Sequence, residues 1–249
     1  MISAYHRPQS LAEALSLLAR PNTLPLGGGT KLNGPAYKNL NFEVVDIQAL
    51  GLNLIHKKGS TLEIGAAAPL ETLRQNPHIF PALKEALRLE APLNLRNAAT
   101  AAGTLAACDG RSPFATLLLA LDAKLTLVSE QNSSSLGLAE YWALRPAGLI
   151  TRITLPLNLR CAYEQVARSP ADLPIVCAAL AQWSGGRSRL ALGGWGKIPA
   201  LALDGTEADG LAEAARNACH ESADAWGSAE YRMDVAAALA QRCLSGVQP

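Results

Sequence analysis

A run of three glycines, Gly27 to Gly29, lies between an apolar segment and a lysine in the stretch PLGGGTKLNG. Glycine has no Cβ and reaches positive φ easily, so such runs form tight turns or let a ligand lie against peptide N–H groups. The stretch lacks the Gly-Lys-Ser/Thr ending of a P-loop, and Leu32 replaces the last glycine of a GxGxxG motif. From these residues alone, both interpretations, a tight turn and a ligand-binding loop, remain open.

A second stretch with almost no side-chain bulk runs from Ala98 to Ala107, about seventy residues after the first. Small residues permit either a tightly packed core segment or the approach of backbone amides to a bulky ligand. Two such segments on one chain suggest joint contact with one extended anion, because dinucleotide pyrophosphates are bound in this way by backbone N–H groups. The pair is therefore a candidate dinucleotide site.

Residues that commonly bind metals or transfer protons show no clustering in the sequence. The five cysteines are odd in number and widely spaced, without a CxxC pair, so buried free thiols are expected rather than a zinc or iron–sulfur site. The four histidines lie in separate segments and resemble no ligand set. No catalytic acid or base is assigned.

The composition favours a globular chain that acts on small molecules or on protein partners. Its 249 residues are 49% hydrophobic and 17% charged, with a formal net charge of +1. Such a chain can bury a sizeable core, but it offers no basic field for nucleic acid and no polybasic patch for a membrane. Since no signal peptide or spanning run is recognised, a cytoplasmic location without membrane insertion is expected.

Local patterns place the two candidate segments between regular elements. Ser10 and Glu13 predict a capping box at the start of a helix, and the stretches LPL and FEVVDI predict strands before and after the glycine run. Proline-led helices are expected at Pro69 and Pro81, and a further helix is expected after Ser112, its N-cap. The stretch QNSSSLG predicts a polar surface loop.

The C-terminal part predicts two strands joined as a hairpin near Gly185 and Gly186, followed by helices. The last helix is expected to be capped by Ser228 and ended by Gly246. A change of pattern around residues 160–168 suggests a domain boundary. Because strands and helices alternate irregularly and without an internal repeat, the expected fold class is α+β rather than a doubly wound parallel sheet.

Three motifs, in order along the chain, resemble those of one flavoprotein family. GGGTKL (27–32) resembles a first flavin loop, A-G-G-T-[DN]-L, and LRNAATAAGTLA (95–106) resembles a second, R-N-x-A-T-[IL]-G-G-N-[LI]-A. SAEYRMDVAAALAQRCL resembles the family's closing helix, and YEQVARSPADLPIVCAAL with RLALGGWGKIPALALDG resembles its C-terminal domain. The family is the FAD-binding medium subunit of molybdenum hydroxylases, which includes the carbon monoxide dehydrogenase and xanthine dehydrogenase flavoproteins. The resemblance covers nearly the whole chain.

The resemblance implies a PCMH-type FAD-binding region at residues 1–160, in subdomains at about 1–55 and 56–160, and a small α+β domain at 161–249. FAD would lie with its pyrophosphate between the two small-residue segments, and the second segment would run toward the isoalloxazine. The glycines would lack side chains because the phosphates occupy that space. The cofactor-binding residues implied are Gly27, Gly28, Gly29, Thr30, Lys31, Leu32, Thr100, Ala101, Ala102, Gly103, Thr104 and Asp109.

Several positions depart from the family pattern. Ala102 and Gly103 stand where the family has paired glycines, and Pro113 takes the place of the carboxylate in a Ser-Pro-x-x-Asp pattern. Asp109 supplies a carboxylate four residues earlier, where it would bind FAD hydroxyls or simply cap the turn before the helix. Arg111 would pair with a phosphate or remain a solvated turn residue.

The resemblance implies an FAD-dependent oxidoreductase subunit. In the family, electrons leave a molybdopterin-containing large subunit, cross 2Fe-2S clusters on a small subunit and reach this flavin, which passes them to NAD, a quinone or oxygen. Two alternatives stay open: a free-standing FAD-dependent reductase on the related flavin fold, and a scaffold subunit whose altered second segment no longer holds FAD. Copurification with the other subunits would distinguish the heteromeric flavoprotein from a free-standing reductase. Bound flavin would exclude the scaffold subunit.

Overall fold

The computed structural model describes residues 2–206 and 208–247 and shows an α+β fold built on three sheets. The expected fold class is thereby confirmed. Each sheet is formed by one consecutive stretch of chain, so three units follow one another with three, five and four strands. The two small-residue segments meet where the first unit packs on the second.

The first unit is a parallel sheet of order β1-β3-β2. Its elements are β1 (Ile2–His6), α1 (Leu11–Leu18), β2 (Thr23–Leu26) and β3 (Phe42–Asp46), with 3-10 turns at Pro35–Tyr37 and Gln48–Leu50. Helix α1 covers the sheet, because Ala14 and Leu17 form an apolar cluster with Val45. The predicted helix and both predicted strands are confirmed, and the glycine run directly follows β2.

A variant of the capping box holds the start of α1, with the Glu13 carboxylate bonded to the N–H of Gln9 instead of that of Ser10. The Ser10 hydroxyl accepts a hydrogen bond from the Glu13 N–H at 3.2 Å, and the Glu13 carboxylate accepts one from the Gln9 N–H at 3.0 Å. We expect Ser10→Ala to lower the free energy of unfolding by about 1 kcal/mol in urea denaturation, because one N–H of the first turn loses its acceptor. Ser16→Ala, on the exposed side of the same helix, is the control and should change it by less than about 0.5 kcal/mol. Equal losses of stability in Ser10→Ala and Ser16→Ala would show that the Ser10 side chain does not stabilise the helix as an N-cap.

The second unit holds an antiparallel sheet of order β4-β5-β8-β6-β7. Its strands are β4 (Ile55–Lys58), β5 (Thr61–Gly65), β6 (Lys124–Val128), β7 (Ser133–Gly137) and β8 (Leu149–Pro156). The prediction of a loop for QNSSSLG is wrong over residues 133–137, because β7 pairs with β6 along its whole length. As an edge strand, β7 leaves one side of its ladder unpaired, and edge strands tolerate polar composition.

The second unit also contains six helices. They are α2 (Leu70–Gln75), α3 (Pro81–Glu90), α4 (Leu93–Ala98), α5 (Ala101–Ala107), α6 (Pro113–Ala120) and α7 (Leu138–Leu144). Pro81 and Pro113 begin their helices as predicted, whereas Pro69 lies one position earlier, at the N-cap of α2. Every residue of α6 is buried, so this helix forms the centre of the core.

The third unit is an antiparallel sheet of order β12-β11-β10-β9 covered by two helices. Its elements are β9 (Leu159–Val166), β10 (Val176–Trp183), β11 (Ser188–Gly193), β12 (Ala200–Gly205), α8 (Leu211–Ala218) and α9 (Ala229–Val247). The predicted hairpin is confirmed, because β10 and β11 pair up to Gln182 and Ser188. Gly186 lies in the connecting turn with φ of +89°.

The last helix begins as predicted and ends later. The Ser228 hydroxyl accepts a hydrogen bond from the Tyr231 N–H at 3.2 Å, as an N-cap does. The predicted end at Gly246 is wrong, since α9 continues to Val247. A Cβ on Gly246 would lie 3.4 Å from Ala162 Cβ, so this glycine lies at the close contact between the helix and β9.

The third sheet packs on both of its faces. Cys177, Ala179 and Ala181 of β10 join the same core cluster as Phe114 of α6. The alternate residues of β10 face the other way, into a cluster formed with α8 and α9. One core therefore continues from the second unit into the third. The domain boundary at residue 160 stays a prediction; strand β9 begins one residue earlier, at Leu159.

Candidate functional site

Each of the three glycines is required by its immediate surroundings. A Cβ on Gly27 would lie 2.6 Å from Thr100 Oγ1, and a Cβ on Gly28 would lie 1.7 Å from the carbonyl oxygen of Ala98. Gly29 has φ of +69°, a left-handed conformation that residues with a Cβ rarely adopt. The space beside Gly27 and Gly28 is thus filled by the junction of α4 and α5, where the resemblance implied phosphates.

The turn after β2 presents a run of unpaired backbone N–H groups. It is closed by hydrogen bonds from the Asn33 N–H to the Gly29 carbonyl (3.2 Å) and from the Gly34 N–H to the Lys31 carbonyl (2.9 Å). Within residues 2–206 and 208–247, no protein group accepts a hydrogen bond from the N–H groups of residues 28–32. Consecutive free N–H groups in a turn form an anion-binding concavity. The Lys31 ammonium adds positive charge to the same turn.

The second small-residue segment is a helix rather than the loop that the resemblance implied. Thr100 is the N-cap of α5, and its hydroxyl accepts a hydrogen bond from the Gly103 N–H at 3.3 Å. The N–H groups of Ala101 and Ala102 donate to carbonyls of residues 68 and 66 at 2.9 and 3.1 Å. Since these amides already have partners, the segment offers a ligand the Thr100 side chain and the α5 surface instead of a row of free N–H groups.

Two cavities adjoin along the glycine turn. One, of about 240 Å³, is lined by residues 27–32 of the turn together with Tyr37, Thr100, Gly103 and the end of α5. The other, of about 210 Å³, shares Thr30 and Lys31 with the first and extends toward Thr104, Asp109 and Ser112. Together they follow the turn past α5 to the start of α6, a shape that suits an elongated ligand.

These cavities bring together most of the residues implied by the resemblance. Gly27 to Leu32, Thr100 and Gly103 line the first, and Thr30, Lys31, Thr104 and Asp109 line the second. Ala101 and Ala102 are buried and line neither cavity. These two alanines therefore contribute to the packing of α5, while the glycine turn lines the first cavity.

Glu90 lies in the second cavity and was missed by the sequence analysis. It is the last residue of α3, and its Oε2 accepts hydrogen bonds from Ser112 Oγ (2.8 Å) and the Phe114 N–H (3.0 Å). Burial raises the pKa of the Glu90 carboxyl to about 7. A carboxyl from α3 thus caps α6, whose first position is Pro113. No local pattern marks it, because the contact joins residues more than twenty positions apart.

Asp109 and Arg111 connect the cavity to the third unit. Asp109 lines the cavity, and its Oδ1 accepts a hydrogen bond from the Arg111 N–H at 2.9 Å, so it stabilises the turn before α6. The Arg111 guanidinium donates to the carbonyls of Leu173 (2.8 Å) and Pro174 (3.0 Å) and lies 4.3 Å from the ring centre of Trp226. Arg111 therefore joins the units and is not a solvated turn residue.

A buried ion cluster fixes the helices around the cavity. The Glu71 carboxylate accepts hydrogen bonds from Arg96 Nε (2.7 Å) and Arg74 Nη2 (2.6 Å). Arg96 also donates to the carbonyls of Arg88 (3.1 Å) and Ala91 (2.6 Å) at the end of α3. The two guanidinium groups hold the pKa of Glu71 at about 2, well below its usual range. By holding the end of α3, the cluster positions Glu90.

The cysteines are free thiols, as expected, and four of the five are buried. Cys108 lines the second cavity, and burial raises the pKa of its thiol to about 12. A thiol with such a pKa stays protonated at neutral pH and is a poor nucleophile. Cys108 therefore serves as an apolar wall of the cavity.

The chain matches a family of flavin-binding domains. Residues 1–158 match the family described as FAD binding domain in molybdopterin dehydrogenase. The chain belongs to this family, and so it is an FAD-binding oxidoreductase subunit of the molybdenum hydroxylase class. This match confirms the resemblance drawn from the three motifs and the expected cofactor.

Named relatives cover almost the whole chain. It is 31% identical to the uncharacterized protein YgfM of Escherichia coli (strain K12), over 96% of this chain and 94% of that protein. It is 27% identical to the carbon monoxide dehydrogenase medium chain of Afipia carboxidovorans, with the same coverage. The structure superimposes on the reconstituted CO dehydrogenase from Oligotropha carboxidovorans with a TM-score of 0.84 and 26% identity, over 98% of this chain and 96% of that chain.

The residues present fit an FAD cofactor. An anionic pyrophosphate suits the free N–H groups of residues 28–32 and the Lys31 ammonium, which have no competing partners for that charge in the described chain. The two adjoining cavities extend from this turn in both directions, as the two halves of a dinucleotide require. The glycine turn is therefore the candidate anion-binding centre of this site.

Proposed function

We propose that this chain is the electron-transferring flavoprotein subunit of a heteromeric molybdenum hydroxylase. Its partners would be a molybdopterin-containing large subunit and a 2Fe-2S small subunit, and its electron acceptor would be NAD or a quinone. The observation that carries the proposal is the free N–H turn at residues 28–32, on a chain that aligns with 94% of a carbon monoxide dehydrogenase medium chain. We also propose that the cofactor-binding residues are those implied by the motif resemblance, that the domains span residues 1–160 and 161–249, and that the chain is cytoplasmic.

The residues of this chain would bind and orient the cofactor. FAD, when bound, supplies the redox chemistry. The N–H groups of residues 28–32 would bind the phosphates, and Lys31 would offset their charge. Thr100 would limit the ligand on the α5 side, and Asp109 and Glu90 would supply polar groups in the second cavity. We assign no residue of the chain as a catalytic acid or base.

Purification of the tagged full-length chain from its own cells under mild conditions tests the assignment. We expect molybdenum, iron and FAD to elute with the chain in a fixed ratio, and the bound flavin to bleach when a substrate of the complex is added. A tagged chain carrying Gly28→Ala serves as the control and should carry less flavin. A chain that elutes alone with FAD would contradict the heteromeric role and favour the free-standing reductase. No helix in the described part of the chain is long and apolar enough to cross a membrane.

A further inference from the structure

The two oxygens of the Glu90 carboxyl have different surroundings. Oε2 accepts two hydrogen bonds, from Ser112 Oγ and from the Phe114 N–H, and is thereby fixed at the start of α6. Oε1 has no hydrogen-bond partner among the described residues. Because Glu90 lines the cavity that begins at Thr30 and Lys31, Oε1 is the polar atom of this carboxyl left for a ligand.

The two charged residues that line the cavity beside Glu90 act on its ionised form in opposite directions. Asp109 lines the same cavity, and its negative charge acts on Glu90 in the same direction as burial. Cys108 in the cavity wall and Tyr163 and Cys177 behind it are neutral, since burial raises the pKa of all three. Lys31 is the one cation among the described residues that line this cavity, and its charge favours the ionised form of Glu90. Burial is therefore what raises the Glu90 pKa.

We propose that Glu90 is a proton-linked contact of the flavin site: FAD binds with the Glu90 carboxyl neutral, so chains in which Glu90 is ionised take up a proton from solvent on Oε1 when the cofactor binds. The neutral carboxyl then donates a hydrogen bond from Oε1 to the ligand, while Oε2 keeps its two donors. This inference rests on the proposed cofactor site. It adds a residue and a pH dependence that neither small-residue segment provides.

The direction of the effect follows from charge and solvation. The Glu90 carboxyl is divided between its two forms near neutral pH, because burial raises its pKa to about 7. A ligand in the cavity displaces the water that solvates Oε1 and brings phosphate charge closer, and both effects favour the protonated form. If protonation accompanies binding, the affinity for FAD falls as the pH rises through this range.

The test measures the dissociation constant of FAD for the full-length chain from the quenching of flavin fluorescence, at about pH 6 and about pH 8, on either side of the Glu90 pKa. We expect the wild-type constant to rise roughly five- to tenfold between these values. Glu90→Gln keeps the size and the hydrogen-bonding groups of the neutral form and should remove most of this rise. Glu85→Gln, on the same helix and paired with Arg88 at the surface, is the matched control and should keep it.

Calorimetry of wild-type binding in two buffers of different ionisation enthalpy gives a second readout that needs no variant. We expect uptake of about half a proton per FAD at pH 7. No proton uptake, or the same pH dependence in wild type and Glu90→Gln, would overturn the inference while leaving the cofactor site intact. Absence of FAD binding by the wild type at every pH would overturn the site and the inference together.

Discussion

Replacing Gly28 with alanine is expected to remove most FAD binding and to destabilise the chain. The new Cβ would lie 1.7 Å from the Ala98 carbonyl oxygen, so the glycine turn and the α4–α5 junction must move apart. Overpacking of this kind costs about 3 kcal/mol at the upper end of its usual range. Because the displaced turn carries the free N–H groups, we expect the dissociation constant of FAD to rise roughly a hundredfold, measured by equilibrium fluorescence titration.

Gly185→Ala is the matched control for this prediction. Gly185 lies in the turn between β10 and β11, its φ is not positive, and a Cβ there would meet no atom within 4 Å. The same substitution should therefore change neither the FAD affinity nor the free energy of unfolding by more than about 0.5 kcal/mol. Equal behaviour of the two variants would contradict the packing of the glycine turn against α4 and α5.

Replacing Glu71 with glutamine should lower the free energy of unfolding by about 3 kcal/mol near neutral pH. The substitution removes the carboxylate that neutralises the buried Arg96 guanidinium, and an unpaired buried charge carries a cost of this size. Urea denaturation of the FAD-free chain measures the loss. Since Arg96 also holds the end of α3, a weaker FAD affinity is expected to accompany it.

The pH dependence of this contribution has a definite sign. The pKa of Glu71 is lowered in the folded chain to about 2, from 4.5, so the ion cluster contributes fully above about pH 4.5. Its contribution is lost as the pH falls from there toward 2, where the folded-state carboxylate takes up its proton. The difference in stability between wild type and Glu71→Gln should therefore shrink over this acid range.

Glu85→Gln provides the control for the ion cluster. Glu85 and Arg88 are an exposed pair three residues apart on α3, and such pairs contribute less than about 1 kcal/mol. A loss of the same size in Glu85→Gln and Glu71→Gln would show that burial of the Glu71 cluster does not matter. A stability difference that grows toward acid pH would contradict the assigned pKa shift.

The elements with local signals were predictable from the sequence. The N-cap at Ser10, the prolines that begin α3 and α6, and the glycine hairpin after β10 all appear as expected. Each depends on residues within a few positions of one another, which is the range over which caps and turns act. The edge strand β7 was missed because its pairing with β6 is tertiary, whereas its serines suggest a loop.

The location of the site could be predicted from the sequence, but its individual contacts could not. The two small-residue segments meet, but Gly28 is small because Ala98 lies against it, which no pattern in either segment alone reveals. The second segment forms α5, whose first amides bond to carbonyls of residues 66 and 68, about thirty-five positions away. Glu90 and Arg111 act through partners on other elements, so neither has a local sequence signal.

The visible absorption spectrum of the purified chain tests most directly whether this chain holds FAD at the glycine turn. It is recorded before and after addition of excess FAD and removal of the free flavin, for wild type, Gly28→Ala and Gly185→Ala. We expect retained flavin bands in wild type and Gly185→Ala, with FAD and not FMN released on denaturation, and weak or no bands in Gly28→Ala. A wild-type chain without flavin after reconstitution, or a Gly28→Ala chain that folds and keeps all of it, would show that FAD is not held at the glycine turn.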